Sequence, residues 1–112
     1  MKAILATSAL ALMLAAPASS ATTLTGTVGP GFTISLTAGG KKVTKLTAGT
    51  YTIKVSDKSN IHNFHLTGPG VAKTTSVGGT GSQTWTVNLK KGKYHYQCDP
   101  HQSFMFGNFT VT

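Results

Sequence analysis

Apolar and polar residues alternate along much of the chain after residue 21. The apolar residues of one such stretch are Tyr51, Ile53 and Val55. A period of two predicts a β-strand with one buried face, because successive side chains of a strand point to opposite sides of the sheet. The same alternation predicts inward-facing sets at Phe32-Ile34-Leu36, Phe64-Leu66, Trp85-Val87-Leu89, Tyr94-Tyr96-Cys98 and Phe109-Val111.

Turn-forming residues separate these stretches at short, regular intervals. Glycine and proline supply the backbone conformations that tight turns need. The turn segments are Gly29-Pro30-Gly31, Gly39-Gly40, Gly68-Pro69-Gly70, Gly78-Gly79-Thr80-Gly81 and Lys90-Lys91-Gly92. No stretch beyond the N-terminal segment has the period of a helix. We therefore predict an all-β fold in one domain, an antiparallel β-sandwich or small barrel of about seven or eight strands.

The N-terminal segment has the composition of a secretory signal peptide. Lys2 supplies a positive start, an apolar stretch follows, and small residues favour cleavage after Ala18 or Ala21. The apolar stretch is shorter than the ~20 residues that a membrane-spanning helix needs. We therefore predict a signal peptide over 1–21 and a domain over 22–112. The mature protein would be periplasmic or secreted, with no membrane span left after cleavage.

The net charge of the 112 residues is +8, from ten lysines and no arginine against two aspartates. A basic chain can bind nucleic acid, but the lack of arginine and of a recognition helix argues against that partner. Two carboxylates, Asp57 and Asp99, are too few for paired acid–base catalysis, so we expect no enzyme. The clusters Lys41-Lys42-Lys45 and Lys90-Lys91-Lys93 fit either solubility and edge protection or attraction of an acidic redox partner.

A single Cys excludes an intramolecular disulfide framework and a cysteine-rich zinc module. Cleavage of the signal peptide would also leave Met105 as the one methionine. Cys98 ends a predicted strand, and Pro100 interrupts the hydrogen bonding that would continue it. Cys98, His101 and Met105 therefore fall on one loop. Copper is the metal that these donors suit, because two His, one Cys and a weak axial Met form the blue-copper ligand set.

The second histidine must come from another segment, and strand alternation selects it. Phe64 defines an inward face that His62 shares, whereas His65 lies on the opposite face. His95 alternates out of phase with Cys98 and should point away from it. The candidate ligands are therefore His62, Cys98, His101 and Met105. Zinc is the nearest competing metal, but it prefers a carboxylate or further Cys and His to a thioether.

Two segments resemble motifs of the cupredoxins, the blue copper proteins, and are nearest to the amicyanin and plastocyanin type. Residues 62–66 (HNFHL) are similar to an amicyanin stretch whose first His binds copper. Residues 92–101 (GKYHYQCDPH), followed by Met105 and Gly107, resemble the family's Gly-x-Tyr-x-Tyr-x-Cys-x-Pro-His…Met-x-Gly loop. The resemblance spans roughly residues 24–112.

The resemblance implies a cupredoxin-like Greek-key β-sandwich that holds one type 1 copper ion. The ligands that it implies are His62, Cys98, His101 and Met105. By the same resemblance, the side chain of Asn63 would tie the two ligand segments together. His101 would reach the surface as the electron port, and Pro100, Phe104 and Phe106 would form an apolar patch around it.

We therefore expect an exported type 1 copper protein that carries single electrons between redox partners. It should be a monomer that binds a redox protein and no nucleic acid. The alternative is a periplasmic copper carrier or buffer that uses the same ligands without a dedicated electron-transfer partner. His101 and Met105 are separated by three residues, a spacing between those of amicyanin and plastocyanin, so the axial role of Met105 stays open.

Overall fold

Ten β-strands and one 3-10 turn make up residues 21–112, the part of the chain that the computed structural model describes. The strands are β1 (Thr22–Val28), β2 (Ile34–Ala38), β3 (Lys41–Lys42), β4 (Lys45–Leu46), β5 (Gly49–Asp57), β6 (His65–Gly68), β7 (Val71–Thr74), β8 (Gly81–Leu89), β9 (Gly92–Gln97) and β10 (Phe106–Val111). The 3-10 turn, Asp99–His101, lies between β9 and β10. The predicted signal peptide lies outside the described residues, apart from Ala21.

The strands form two five-stranded sheets that share one hydrophobic core. One sheet has the order β3-β2-β1-β5-β8, and the other has the order β4-β10-β9-β6-β7. The predicted all-β sandwich is confirmed. Two details differ from the prediction: β1 pairs with β5 and β4 with β10 in parallel, so the sheets are mixed, and two of the ten strands are only two residues long.

Most residues of the core are inward residues that the alternation predicted. Each second residue is buried from Tyr51 to Asp57 on β5 and from Trp85 to Leu89 on β8, in keeping with the period of a strand. Aromatic rings fill much of the space between the sheets: Phe64 stacks on Tyr96 and Tyr94 stacks on Phe109. Burial of these large apolar side chains is the main contribution to the stability of the sandwich.

The two ends of the sandwich carry different loops. The pairing of β5 with β8 places Asp57 opposite Gly81 at one end and Gly49 opposite Leu89 at the other. We call these the upper end and the lower end. Because β5 has nine residues, the two ends are about 27 Å apart. The loops that contain the candidate ligands all lie at the upper end.

The prediction for Phe32 is wrong, because this residue lies in the loop between β1 and β2 and its side chain is 58% exposed. The preceding Gly29 and Gly31 have φ angles of 68° and 75°, which turn the backbone out of the strand conformation. Thr33 donates a side-chain hydrogen bond back to the carbonyl of Pro30, and regular pairing begins only at Ile34. The strand is therefore shorter than the alternation suggested.

The alternation also missed β1, a seven-residue strand. Its inward positions are Leu24, Gly26 and Val28, so the middle one has no apolar side chain. A Cβ atom at Gly26 would lie 3.0 Å from the ring of Phe64, which fills the space instead. The strand therefore has an inward face that hydrophobic alternation alone does not reveal.

Within residues 21–112 there is no apolar helix long enough to cross a bilayer.

Gly68 provides a test of this packing. A Cβ atom at this position would overlap the ring of Tyr94, which is buried and whose hydroxyl hydrogen-bonds with Pro69 and Lys90. Because the ring has no room to move, Gly68→Ala should lower the free energy of unfolding by about 1–3 kcal/mol. Urea denaturation followed by the fluorescence of Trp85 measures the change.

Gly78→Ala is the matched control, since an added Cβ there has no atom within 4 Å. Its unfolding midpoint should stay close to that of the unmodified protein. Equal midpoints for the two variants would show that the Tyr94 ring does not limit the space at Gly68.

Candidate metal centre

Three potential metal donors converge at the upper end of the sandwich. Nδ1 of His62 and Nδ1 of His101 are 3.1 Å apart, and each lies close to Sγ of Cys98, at 3.6 and 3.5 Å. The three residues come from two segments separated by more than thirty positions in the chain. Among the residues that the structure describes, they form a group in which all the donor atoms lie within 4.8 Å of one another.

The donors are screened from solvent to different degrees. Cys98 is fully buried and His62 is 1% exposed, whereas His101 is half-buried. The sulfur and one imidazole are therefore held inside the protein. His101 is the one member of the group with a substantial exposed surface.

The loop from Cys98 to Met105 is closed by its own backbone. The N–H of Cys98 donates to the carbonyl of Met105 at 2.9 Å, and the N–H of Met105 donates to the carbonyl of His101 at 2.9 Å. Pro100 lies in the first turn of the 3-10 segment, where a backbone N–H would have no partner within the turn. As a result, Met105 lies directly beside Cys98 at the base of the loop, and its side chain is 1% exposed.

The segment that contains His62 is a loop rather than the predicted strand, because β6 begins only at His65. The N–H of Ser59 donates to the carboxylate of Asp57, and a turn follows in which the N–H of His62 lies 3.4 Å from the carbonyl of Ser59. The prediction that His62 is buried is correct. Asn63 is buried as well, at 2% exposure, although in a strand it would point to the face opposite His62.

A polar network below this loop fixes its far end. The N–H of Phe64 donates to the hydroxyl of Thr75 at 2.9 Å, and that hydroxyl lies 3.4 Å from the carboxylate of Asp57. Asp57 is 4% exposed, so these hydrogen bonds form away from water, where an unpaired partner would be costly. Asp57 thus stabilises both the beginning and the end of the loop that holds His62.

Asn63 connects the two ligand-bearing segments. Its Nδ2 donates to Oδ2 of Asp99 at 2.8 Å, and its Oδ1 accepts from the N–H of Asp99 at 2.7 Å. Asp99 directly follows Cys98, so the pair of bonds sets the position of His62 relative to the thiol. The tie between segments that the cupredoxin resemblance implied is present.

The carboxylate of Asp99 is also held by neighbours on the surface. Burial acts to raise the pKa of Asp99, but hydrogen bonds from Gln97, His65 and Asn63, with the charge of His65, outweigh it and leave the pKa below its ordinary value. Asp99 therefore accepts hydrogen bonds as an ion. Nδ1 of His65 lies 2.9 Å from it.

The two remaining histidines lie outside the donor group, as the alternation predicted. His65 faces Asp99 at the surface. His95 lies 2.7 Å from the side-chain oxygen of Asn108 and 2.9 Å from that of Gln97. These contacts involve Nδ1 of His65 and both ring nitrogens of His95, and the imidazoles of the donor group are those of His62 and His101.

The donor group fits a copper ion in chemistry and in spacing. Imidazole nitrogen and thiolate sulfur are the donors of blue-copper sites. Zinc, an ion of similar size, lies about 2.0–2.3 Å from its nitrogen and sulfur ligands. In a tetrahedral or trigonal arrangement, ligands at these distances from the ion lie roughly 3.3–3.8 Å from one another. The observed separations of 3.1, 3.5 and 3.6 Å are close to that range.

An exposed aromatic residue that the sequence analysis placed in the core lies over the centre instead. The ring centroid of Phe32 is 5.3 Å from that of His62, 5.0 Å from that of His101 and 5.9 Å from that of Phe104. Phe32 and Phe104 are each more than half exposed. Of the residues expected around His101, Phe106 lies elsewhere, since its ring stacks on His95. We call Phe32, His101 and Phe104 the aromatic patch.

Comparison with known proteins agrees with this geometry. Residues 32–112 match the sequence model of a family described as copper binding proteins, plastocyanin/azurin family. No curated protein matches the chain.

Several solved structures have the same fold but a low sequence identity to this chain. A reduced rusticyanin is 23% identical, with a TM-score of 0.60 over 83% of this chain and 81% of its own. Rusticyanin from Thiobacillus ferrooxidans is 24% identical, with a TM-score of 0.56 over 83% and 79%. Auracyanin from Roseiflexus castenholzii is 20% identical, with a TM-score of 0.57 over 83% and 98%. At these identities the likeness concerns the fold alone.

Replacement of Asn63 should loosen the alignment of the two ligand segments. Asn63→Ala removes both hydrogen bonds to Asp99, so His62 is no longer held in register with Cys98. Loss of a side chain that positions ligands typically weakens metal binding 10–100-fold, and we expect a weakening of about that size for copper. Competition with a copper chelator of known affinity measures it.

Asn88→Ala is the matched control, because Asn88 is an exposed asparagine on β8. It should bind copper as the unmodified protein does. Unchanged affinity in Asn63→Ala would show that the sandwich alone aligns the ligand segments.

Proposed function

The chain belongs to the plastocyanin/azurin family of copper binding proteins, and we propose on that premise that it is a type 1 (blue) copper protein that carries single electrons between redox partners. The observation that carries the proposal is the convergence of two imidazole Nδ1 atoms on the Cys98 sulfur at 3.5 and 3.6 Å. In this proposal the protein is an electron carrier and has no enzymatic activity of its own.

We assign four residues to the copper ion. His62, Cys98 and His101 would supply the strong ligands, and Met105 would supply the weak axial thioether. When bound, copper supplies a one-electron couple between Cu(I) and Cu(II). Cys98 would contribute a thiolate at a position buried away from solvent, and the two imidazoles are donors that suit both oxidation states.

The surroundings of these residues support a carrier with a rigid centre. Cys98 and His62 are buried, the Cys98–Met105 loop is closed by backbone hydrogen bonds, and Asn63 holds the two ligand segments in register. Side chains that are held by packing and hydrogen bonds change position little when the charge of the centre changes. Electron transfer therefore requires little rearrangement of the protein.

We propose that electrons enter and leave through His101. This residue is half-buried, and Phe32 and Phe104 place exposed rings beside it. An apolar surface loses its water easily on contact, which brings a redox protein close to the imidazole edge. After loss of Lys2 with the signal peptide, the net charge of +7 would draw an acidic partner toward the protein at long range, while the aromatic patch would determine where the partner docks.

Export and a monomeric state remain part of the proposal. The N-terminal 21 residues support export through a signal peptide, and the domain over residues 22–112 would then act in the periplasm or outside the cell. The sandwich contains both ligand segments in one chain, so a single copy would suffice for the copper site.

Addition of Cu(II) to the protein tests the proposal. We expect an intense visible absorption from charge transfer between the Cys98 thiolate and copper, with a narrow copper hyperfine splitting in the EPR spectrum. Both signals should be lost in Cys98→Ser, because the oxygen of serine cannot replace the thiolate. Visible absorption and EPR spectroscopy measure the two signals.

A colourless protein that binds zinc as tightly as copper would contradict this function. A coloured site that exchanges electrons slowly between its own reduced and oxidised forms would favour the alternative, a periplasmic copper carrier or buffer. Measurement of the self-exchange rate by NMR line broadening distinguishes the two functions, because an electron carrier needs rapid exchange.

Met105→Leu tests the axial assignment separately. Leu has nearly the volume of Met, so the substitution should cost less than about 1.5 kcal/mol of stability. Loss of the thioether removes electron density that favours Cu(II), and the reduction potential should therefore rise. A one-electron couple shifts by about 40 mV for each kcal/mol, so redox titration resolves a small effect. An unchanged potential would exclude Met105 as the axial ligand.

A further inference from the structure

Six of the ten lysines lie at the lower end of the sandwich, opposite the metal centre. The register places Lys45 and Lys93 on either side of Thr110, near the end of β10. Lys90 and Lys91 occupy the turn between β8 and β9, which follows the pairing of Leu89 with Gly49. The remaining two, Lys41 and Lys42, form β3 beside the last residues of β2. We call these six residues the basic end.

The charge of the basic end is not compensated by neighbouring groups. All six side chains are exposed. Within residues 21–112, none of them lies within ion-pair distance of a carboxylate, since the one pair found there joins His65 to Asp99. The two aspartates of the chain, Asp57 and Asp99, both lie at the upper end. Positive charge is therefore concentrated at the end that has no acidic side chain.

Solubility and edge protection do not explain this arrangement fully. Lys41, Lys42 and Lys45 do lie on β3 and β4, the outer strands of the two sheets. Lys93, however, lies on β9, an interior strand of its sheet, where it pairs with Thr110 of β10. Lys45 and Lys93 are two strand spacings apart, about 10 Å, a distance at which like charges still repel in dilute salt. Scattered lysines would keep the protein soluble without this repulsion.

Within residues 21–112, the basic end also lacks the exposed apolar side chains that a protein partner would need. The large hydrophobic residues with exposed side chains are Phe32, Ile61, Val77, Phe104 and Phe106. All of them belong to loops or strand ends at the upper end of the sandwich. Protein–protein interfaces depend on a buried core of aromatic and apolar residues. An anionic lipid surface needs only positive charge near its headgroups.

We propose that the basic end adsorbs on the surface of an anionic phospholipid membrane and turns the metal centre away from it. A second observation supports this orientation. Thr22, the first residue of β1, pairs with Tyr51 near the lower end, so the α-amino group that cleavage after Ala21 would create adds a positive charge to this end. Adsorption would leave His101 about 27 Å from the lipid, free to meet a redox partner.

Cosedimentation with lipid vesicles tests the proposal on the protein without residues 1–20. Their removal takes away none of the ten strands, and the core residues described above all lie between residues 24 and 111. The probes are vesicles of phosphatidylcholine alone and vesicles that also contain phosphatidylglycerol. We expect binding only to the second kind at about 0.01 M salt, and weaker binding at about 0.15 M because the charges are screened. The measurement needs no copper, so its result does not depend on the proposed electron-transfer function.

Two triple variants with the same net charge locate the binding surface. Lys90→Gln, Lys91→Gln and Lys93→Gln together remove half of the basic end. At about fivefold per lysine, this variant should bind anionic vesicles about 100-fold more weakly. In the control, Lys54→Gln, Lys58→Gln and Lys73→Gln remove three lysines outside the basic end and should cause a much smaller loss. Thermal unfolding confirms that both variants are folded.

Three outcomes would overturn the proposal. The first is no binding of the unmodified protein to phosphatidylglycerol vesicles at about 0.01 M salt. The second is an equal loss in the two triple variants, which would make net charge the cause. The third is binding to poly-glutamate but not to anionic vesicles, which would identify an acidic protein as the occupant of the basic end.

Discussion

The metal centre depends on one pair of hydrogen bonds, between the side chain of Asn63 and Asp99. Each ligand segment has its own local support: the turn after Asp57 holds His62, and backbone hydrogen bonds close the Cys98 loop. Neither support relates one segment to the other. The bonds of 2.7 and 2.8 Å from Asn63 do so at the point where the loops meet, and the low exposure of Asn63 protects them from competition by water. The mutual positions of the donor atoms follow from this contact.

The sequence predicted the sandwich and the donor group because both depend on strong local signals. Alternation identifies the inward faces of β5, β8 and β9, since each strand has two or three large apolar residues at successive second positions. Cys98 is the one cysteine of the chain, and Pro100 shows that a loop follows it. The order of strands within the sheets, including the two parallel pairs, depends on contacts distant in sequence that alternation does not encode.

Two of the predictions fail for the same physical reason, which is that a loop follows the geometry of its hydrogen bonds and not a period. Asn63 is buried beside His62 because a turn, and not a strand, places both of them. Phe32 follows two glycines in left-handed conformations and so leaves the core for the surface over the donor group. In β1 the cause is packing: the ring of Phe64 fills the space of a missing side chain at Gly26. Each of these features needs a contact from elsewhere in the chain.

The closure of the loop between Cys98 and Met105 has a consequence for how such a protein can diversify. The hydrogen bond from the Cys98 N–H to the Met105 carbonyl joins the two ends of the loop directly above the pairing of Gln97 with Phe106. Residues inserted or deleted between His101 and Met105 would therefore change the loop without shifting the register of β9 and β10. Evolution or protein engineering can therefore replace the ligand loop without changing the rest of the sandwich. The properties of the centre can vary independently of the stability of the sandwich.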